Sequence, residues 1–321
     1  MKHKIYFVLS FLVCVIGFAQ TNYNYTKEII YKNGKNPSGL YILGSNDLIK
    51  TTYLDGLGRP IQIVEQNSSP DNDKNIVVHK EYEKNLGETT VYLPFTSEGK
   101  TVITTGNFSN TTYHSNFVTD AKAKTIQFYQ SYKQDEYPYS EVQLEKSGNP
   151  RILEQGAPGI DWGISSYDQY NIPRDDRNTI RYDYAYNTSN EVKKFIVNSQ
   201  WNSQRDVFTN TISANGNYPP NSLKKTVVKN ENWKPTDGKA NTEEEFYGSD
   251  GKILLTRTYN RPNPTNETIE VIDTYYVYDF YGNLAYVLPP LSNGEVTSTI
   301  LDQLCYQYLY DQRRVSLPDR T

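Results

Sequence analysis

The chain is poor in the residues that hold a protein together covalently or through metal. Its 321 residues include only two cysteines, three histidines and one methionine. His79, His114 and Cys305 stand at no metal-ligand spacing, so no metal or other cofactor is expected, and His79, following Ile76-Val77-Val78, reads as a strand histidine. Apolar runs are scarce too. With 36% hydrophobic residues and a mean hydropathy of −0.71, a multi-span membrane protein is excluded. Positive charge is not in excess: 33 Lys and Arg face 37 Asp and Glu, giving −4 and a pI near 5.6, so no nucleic-acid partner is expected. The chain also lacks a Gly-x-Ser-x-Gly elbow and a P-loop. Gly56-Leu57-Gly58 misses the third glycine of a dinucleotide loop and leads into Pro60 rather than into a helix.

What is abundant is tyrosine. Twenty-nine Tyr, 11 Phe and 3 Trp supply enough buried area to oppose disorder, and with many Asn they point to strands joined by polar turns. The N-terminus has a different character. Lys2, His3 and Lys4 precede an apolar run from Ile5 to Phe18, and Gly17-Phe18-Ala19 places small residues before Gln20. This is the layout of a secretory signal peptide over residues 1–19, too short to span a bilayer comfortably. Its removal takes the net charge from −4 to −6 and leaves Cys305 as the single thiol, so no internal disulfide can form. Cys305, between Leu304 and Tyr306, reads as a buried, inert thiol.

A unit recurs along the chain: an alternating strand, a polar residue, spacers, Gly, and a second strand. Copies run from Tyr53 through Asp55, Gly58, Arg59 and Pro60 to Val64, and from Val142 through Gly148 to Leu153. Others run from Phe246 through Gly251 to Leu255, and from Tyr276 through Tyr278, Asp279 and Gly282 to Leu288. A looser copy spans Tyr82 to Leu93. Tyr276 and Tyr278 share a strand face, Asp279 bonds forward into the turn, and Gly282 accommodates a positive φ. Leu284, Tyr286 and Leu288 return on one face, and Pro289-Pro290 ends the ladder. The expected fold is therefore mainly β, of antiparallel hairpins, with one or two short helices at Thr119–Ser131 and Ser298–Leu304. Gly163–Asn178 and Asn198–Asn221 read as loops or insertions covering a sheet edge. Asp71-Asn72-Asp73 reads as a turn cap rather than a calcium loop.

These units resemble the tyrosine–aspartate (YD) repeats of RHS proteins. Thr52-Tyr53-Leu54-Asp55-Gly56-Leu57-Gly58-Arg59-Pro60 resembles the signature of an uncharacterised N-terminal domain on RHS-repeat proteins of Bacteroidetes. Tyr92-Leu93-Pro94-Phe95, Tyr137 to Val142 and Arg151 to Gly159 fit the same domain. Asp273 to Asp279, Tyr286 to Pro290 and Leu301 to Asp311 resemble the entry into the repeat array, so the similarity runs from about Tyr41 to Asp311. After the signal peptide read over 1–19, the resemblance implies the RHS N-terminal domain over 20–162 and a YD-repeat-like region over 163–321 that reads as truncated. It implies a shell that encloses a C-terminal toxin, a downstream repeat or toxin polypeptide as partner, and export to the cell surface, the medium or the periplasm. The sequence departs from that pattern where Gln312 to Pro318 lacks the turn residue, and no Asp-Pro pair for self-cleavage occurs.

No enzymatic constellation emerges. Asp161-Trp162-Gly163 and Asp175-Asp176 bring carboxylates near an aromatic, as a glycoside hydrolase needs, yet 37 acidic residues create such neighbours freely. Tyrosine faces also stack on sugar rings, so the alternative function is a free-standing secreted or surface carbohydrate-binding protein. The plainer role of Tyr is to tile strand faces.

Overall fold

The computed structural model describes residues 23–31, 47–70, 74–83, 87–98, 117–133, 137–164, 177–262, 268–313 and 316–317. The signal segment, Asp71-Asn72-Asp73, His114 and most of 163–178, with Asp175-Asp176, lie outside them. The fold is mainly β with two α-helices among the described residues. The chain divides into two compact units, residues 1–78 with 96–119 and residues 79–95 with 120–321.

The first unit contains β1 (Asn24–Ile30), β2 (Leu48–Leu54), β3 (Pro60–Gln66) and the first half of β4 (Lys74–Glu83), laid side by side in that order. Alternation along β2 and β3 buries Thr51, Tyr53, Gln62 and Val64 and leaves their neighbours partly exposed. Tyr53 packs between the rings of Tyr25 and Phe117, at 5.8 and 5.1 Å. Gln62 is fully buried yet satisfied: its Nε2 donates to the Val118 carbonyl at 2.9 Å, and its Oε1 accepts from the Val118 N–H at 2.8 Å. The amide side chain thus ties the 117–118 segment to β3 as a ladder bond would.

The second unit begins with the rest of β4 and continues through β5 (Gly87–Tyr92), with β6 (Phe95–Glu98) following in the chain. Helix α1 (Ala121–Lys133) comes next, in place of the expected Thr119–Ser131. Its Thr125 is fully buried and donates to the Ala121 carbonyl at 2.8 Å. Then follow β7 (Tyr139–Leu144), β8 (Ile152–Gly156), β9 (Ile180–Tyr186), β10 (Lys193–Asn202), β11 (Val207–Asn217) and β12 (Lys224–Lys229). The chain ends with β13 (Thr242–Tyr247), β14 (Ile253–Asn260), β15 (Glu270–Tyr278), β16 (Leu284–Leu288), α2 (Ser298–Leu304), β17 (Tyr306–Gln307), β18 (Leu309–Tyr310) and β19 (Ser316–Leu317). Its main sheet runs β4-β5-β7-β8-β9-β12-β13-β14-β15-β16-β17, with antiparallel neighbours throughout. The domain boundary expected at 162/163 falls inside this unit, where β8 pairs across it with β9 (Glu154 opposite Arg181).

Residues Asn198–Asn221, expected as a loop, instead fold largely as a β-hairpin, β10 with β11. The reason the loop reading fails is composition. The hairpin is rich in Asn, Ser and Thr, and only Val197, Val207 and Asn210 are buried, so hydrophobic alternation is sparse. Its strand state is secured by tertiary packing. Val192 and Val197 join Leu223, Phe246, Leu255, Tyr275, Val277, Tyr286 and Leu288 in one core, and Phe195 meets Tyr275 edge-on at 5.3 Å. The hairpin also pairs with β18 in a second sheet, β10-β11-β18-β19. Asn202 caps its turn by accepting from the N–H groups of Gln204 and Arg205.

β15 shows how the core face is chosen. Tyr275 and Val277 are buried, while Tyr276 and Tyr278 share the opposite, half-buried face. Tyr286 and Leu288 sit opposite Val277 and Tyr275 on the core side, but a bulge intervenes before Leu284, which pairs with Tyr278. β16 ends at Leu288, and a short 3₁₀ turn starts at Pro290. Thr297 caps α2, where Leu301 packs against the core and Leu304 faces outward.

Candidate functional site

The expected motif residues are distributed over successive hairpin turns, one in the first unit and the others in the second. In the first, the Asp55 carbonyl accepts from Gly58 at 3.0 Å and its N–H donates to Arg59 at 2.9 Å. Asp55 Oδ1 accepts from the N–H groups of Leu57 and Arg59, and Oδ2 receives the Arg59 guanidinium at 2.7 Å. These bonds, that from the Arg59 N–H foremost, hold the Asp55 carboxyl below the usual range. Gly58 has φ of 80°, which a side chain would strain. Pro60 starts the return strand, where it pairs with Leu54 after a bulge.

The turn at Asp279 repeats this geometry. Gly282 donates to the Asp279 carbonyl at 3.0 Å and has φ of 83°, and Asn283 stands where Arg59 does, donating to Asp279 through both backbone and side chain. At Gly251, φ is 78° and the same pair of backbone bonds recurs, but Gly248 occupies the aspartate position and Asp250 accepts instead from the Lys252 N–H. Five residues separate the closing pairs Leu54–Pro60, Tyr247–Ile253 and Tyr278–Leu284. The pair Tyr310–Ser316 at the last hairpin has the same separation, with Asp311 following the tyrosine.

The turn at Gly148 is longer. Seven residues lie between Leu144 and Ile152, and Gly148 is not in the left-handed region. The longer turn has no need of one there. It is closed by a two-pronged pair, Arg151 Nε to Glu145 Oε2 at 2.9 Å and Nη2 to Oε1 at 2.8 Å.

The sequence reading missed a tie between neighbouring hairpins. Tyr184 donates its hydroxyl to the carbonyl of Ile152, Tyr278 to Ile253 and Tyr310 to Leu284, at 2.7, 3.1 and 2.9 Å. Each acceptor is the first residue of a return strand, and each donor belongs to a later unit. Burial raises all three phenols above their ordinary pKa. The signal in the sequence is a tyrosine 25 to 32 residues beyond the start of the preceding return strand.

Other candidates resolve into structural contacts. His79 lies on β4, its Nε2 3.9 Å from Glu81 and its ring 5.4 Å from Tyr92. Asp161 and Trp162 belong to the turn after β8, where the Asp161 carbonyl accepts from Asn178. Cys305 is partly buried against the core, which pushes its thiol pKa up. Among the described residues no group of three or more His, Cys, Asp and Glu could hold a metal ion.

A cleft of about 470 Å³ lies between the base of β10 and the Gly248–Gly251 turn, lined by Lys194, Phe195, Tyr218, Asp250, Tyr276 and Tyr278 among others. Its size suits a small ligand. Lys194 lies 5.7 Å from the Tyr218 ring, and burial, then Asp250, raise the Tyr218 pKa.

Tyrosines shielded from water also make stability depend on alkaline pH. Burial pushes Tyr139 and Tyr275 up to about 12 from 10.0. Above pH 10 the unfolded chain releases these protons while the folded chain retains them. Their contribution to stability is therefore full below pH 10 and is lost as the pH rises from about 10 to 12. Urea unfolding at pH 9 and pH 11 is expected to show this fall, reduced in Tyr139→Phe; an equal fall in that variant would rule Tyr139 out.

Residues 27–174 match a family described as a domain of unknown function (DUF6443). No curated protein matches the chain.

Proposed function

We propose that the chain is a non-enzymatic β-scaffold, the N-terminal part of an exported RHS/YD-repeat protein of the Bacteroidetes type, forming or capping a shell around a C-terminal effector. The observation that carries this reading is the hairpin unit itself. Three turns of one length with left-handed glycines at one position, and tyrosine hydroxyls reaching the preceding unit, describe an array in which units are stabilised by their neighbours. The partner expected from this is a polypeptide of further Tyr-Asp hairpins, added at the short edge strands β17 and β19.

The test is co-expression of the full chain with such a repeat polypeptide, followed by light scattering on a sizing column. A stable 1:1 complex and no glycoside or peptide hydrolysis are expected. Turnover abolished by one carboxylate substitution would sink the scaffold reading.

A second reading, a surface carbohydrate-binding protein, draws on the tyrosine-lined cleft. Glycan-array binding lost in Tyr218→Ala would support it, and silence from a folded sample would remove it.

A further inference from the structure

At the β8–β9 junction the described residues carry more cationic than anionic charge. Glu154 on β8 lies opposite Arg181 on β9, and Arg181 lies opposite Lys229 on β12, so the three side chains share one face. Arg177, just before β9, joins them. Its Nε is 3.4 Å from Glu154 Oε1, and the Arg181 Nε is 3.5 Å from the same oxygen. That oxygen also accepts from the Thr179 hydroxyl at 2.5 Å.

One carboxylate therefore serves two guanidinium groups, and serves them poorly. Arg177 donates from Nη1 to the Ile164 carbonyl at 3.4 Å, and Arg181 from Nε to Thr179 Oγ1 at 3.3 Å. Arg177 Nε and Arg181 Nη2 are buried and make no well-aligned hydrogen bond; Arg177 Nε has only its long ion-pair contact to Glu154. The side chains are only 16% and 17% exposed, so bulk solvent does little to compensate. Lys229 is matched by Asp183 at 2.6 Å, which leaves three cations against two carboxylates on this patch among the described residues. Trp233 borders it, its ring 4.6 Å from Lys229 Nζ and 5.7 Å from the Arg181 guanidinium carbon. A buried charged donor without an acceptor is costly, and a water molecule would supply a lone pair without the missing charge.

We propose that Arg177 and Arg181 form a binding site for one oxyanion, the carboxylate or sulfate group of a ligand, with Lys229 adding to the local potential. Planar guanidinium groups with free N–H bonds match the paired oxygens of such a group. The site is independent of the scaffold reading, and it lies on the sheet rather than in the tyrosine cleft, whose lining it does not share.

The test is calorimetric titration of the full chain with sodium sulfate, sodium glucuronate and glucose at constant ionic strength. Saturable one-site binding of at least one anion is expected, with none for glucose. Arg177→Gln and Arg181→Gln are each expected to weaken it about tenfold or more, the usual effect of losing a charged hydrogen bond. Circular dichroism checks folding; if Arg181→Gln fails to fold, Arg177→Gln, outside the strands, decides. Tighter glucuronate than sulfate binding identifies a carboxylated sugar, and equal binding a simple oxyanion. No saturation by either anion through millimolar concentrations, or undiminished binding in folded Arg177→Gln, overturns the site.

Discussion

Phe246→Ala is expected to destabilise the chain by about 3–5 kcal/mol, the cost of emptying a large buried aromatic site. Phe246 is fully buried on β13 and touches the core that β14, β15, β16 and the β10–β11 hairpin share. Its ring also supports two cations, Lys225 Nζ at 5.5 Å and the Arg257 guanidinium carbon at 5.9 Å. The collapse of neighbours into the space is limited by the backbone ladders on both sides. Guanidinium-chloride unfolding should show a lower midpoint with little change in slope. The matched control is Phe280→Ala, at a ring that is 92% exposed, where a change within about 0.5 kcal/mol is expected. Similar losses at both positions would refute the assignment of Phe246 to the core.

The second large effect concerns the ion pair beside that ring. Arg257 Nε and Nη2 reach the two oxygens of Asp273 at 2.7 and 2.8 Å, and Nη2 also donates to the Glu191 carbonyl at 3.2 Å. The two residues face each other across β14 and β15, with 14% and 21% of their side chains exposed. The bond to Asp273, ahead of any other influence, holds the Arg257 guanidinium even more firmly protonated than usual. Asp273→Ala is expected to cost about 3 kcal/mol, because it leaves a half-buried cation without its acceptors. The double variant Arg257→Met/Asp273→Leu should regain most of that loss, since both charges leave together. Denaturant unfolding of the four proteins gives the coupling directly. A double variant no more stable than Asp273→Ala would show that the pair does more than neutralise itself.

Much of the hairpin architecture was legible because its determinants are local. An aspartate three residues before a glycine, flanked by alternating apolar residues, encodes its own turn, as Asp55 with Gly58 and Asp279 with Gly282 show. The helices were legible for the same reason, through runs of good helix formers, while the cap at Thr297 emerged only from the structure. At Gly148 the sequence pattern does not reveal that the turn carries two extra residues and closes through an Arg151–Glu145 pair.

By itself, then, the sequence determined a β-rich chain, the positions of its tight turns and the alternation that separates Tyr275 and Val277 from Tyr276 and Tyr278. These depend on φ preferences, side-chain bonds across two to four residues and a period of two. Tertiary structure decided the rest. It made Asn198–Asn221 largely a hairpin by giving Val197 and Asn210 partners far away in sequence, and it turned Tyr184, Tyr278 and Tyr310 into ties between units. It also set Arg177 and Arg181 against a single Glu154. Such contacts join residues tens of positions apart, and a local pattern carries no record of which strand will lie beside which.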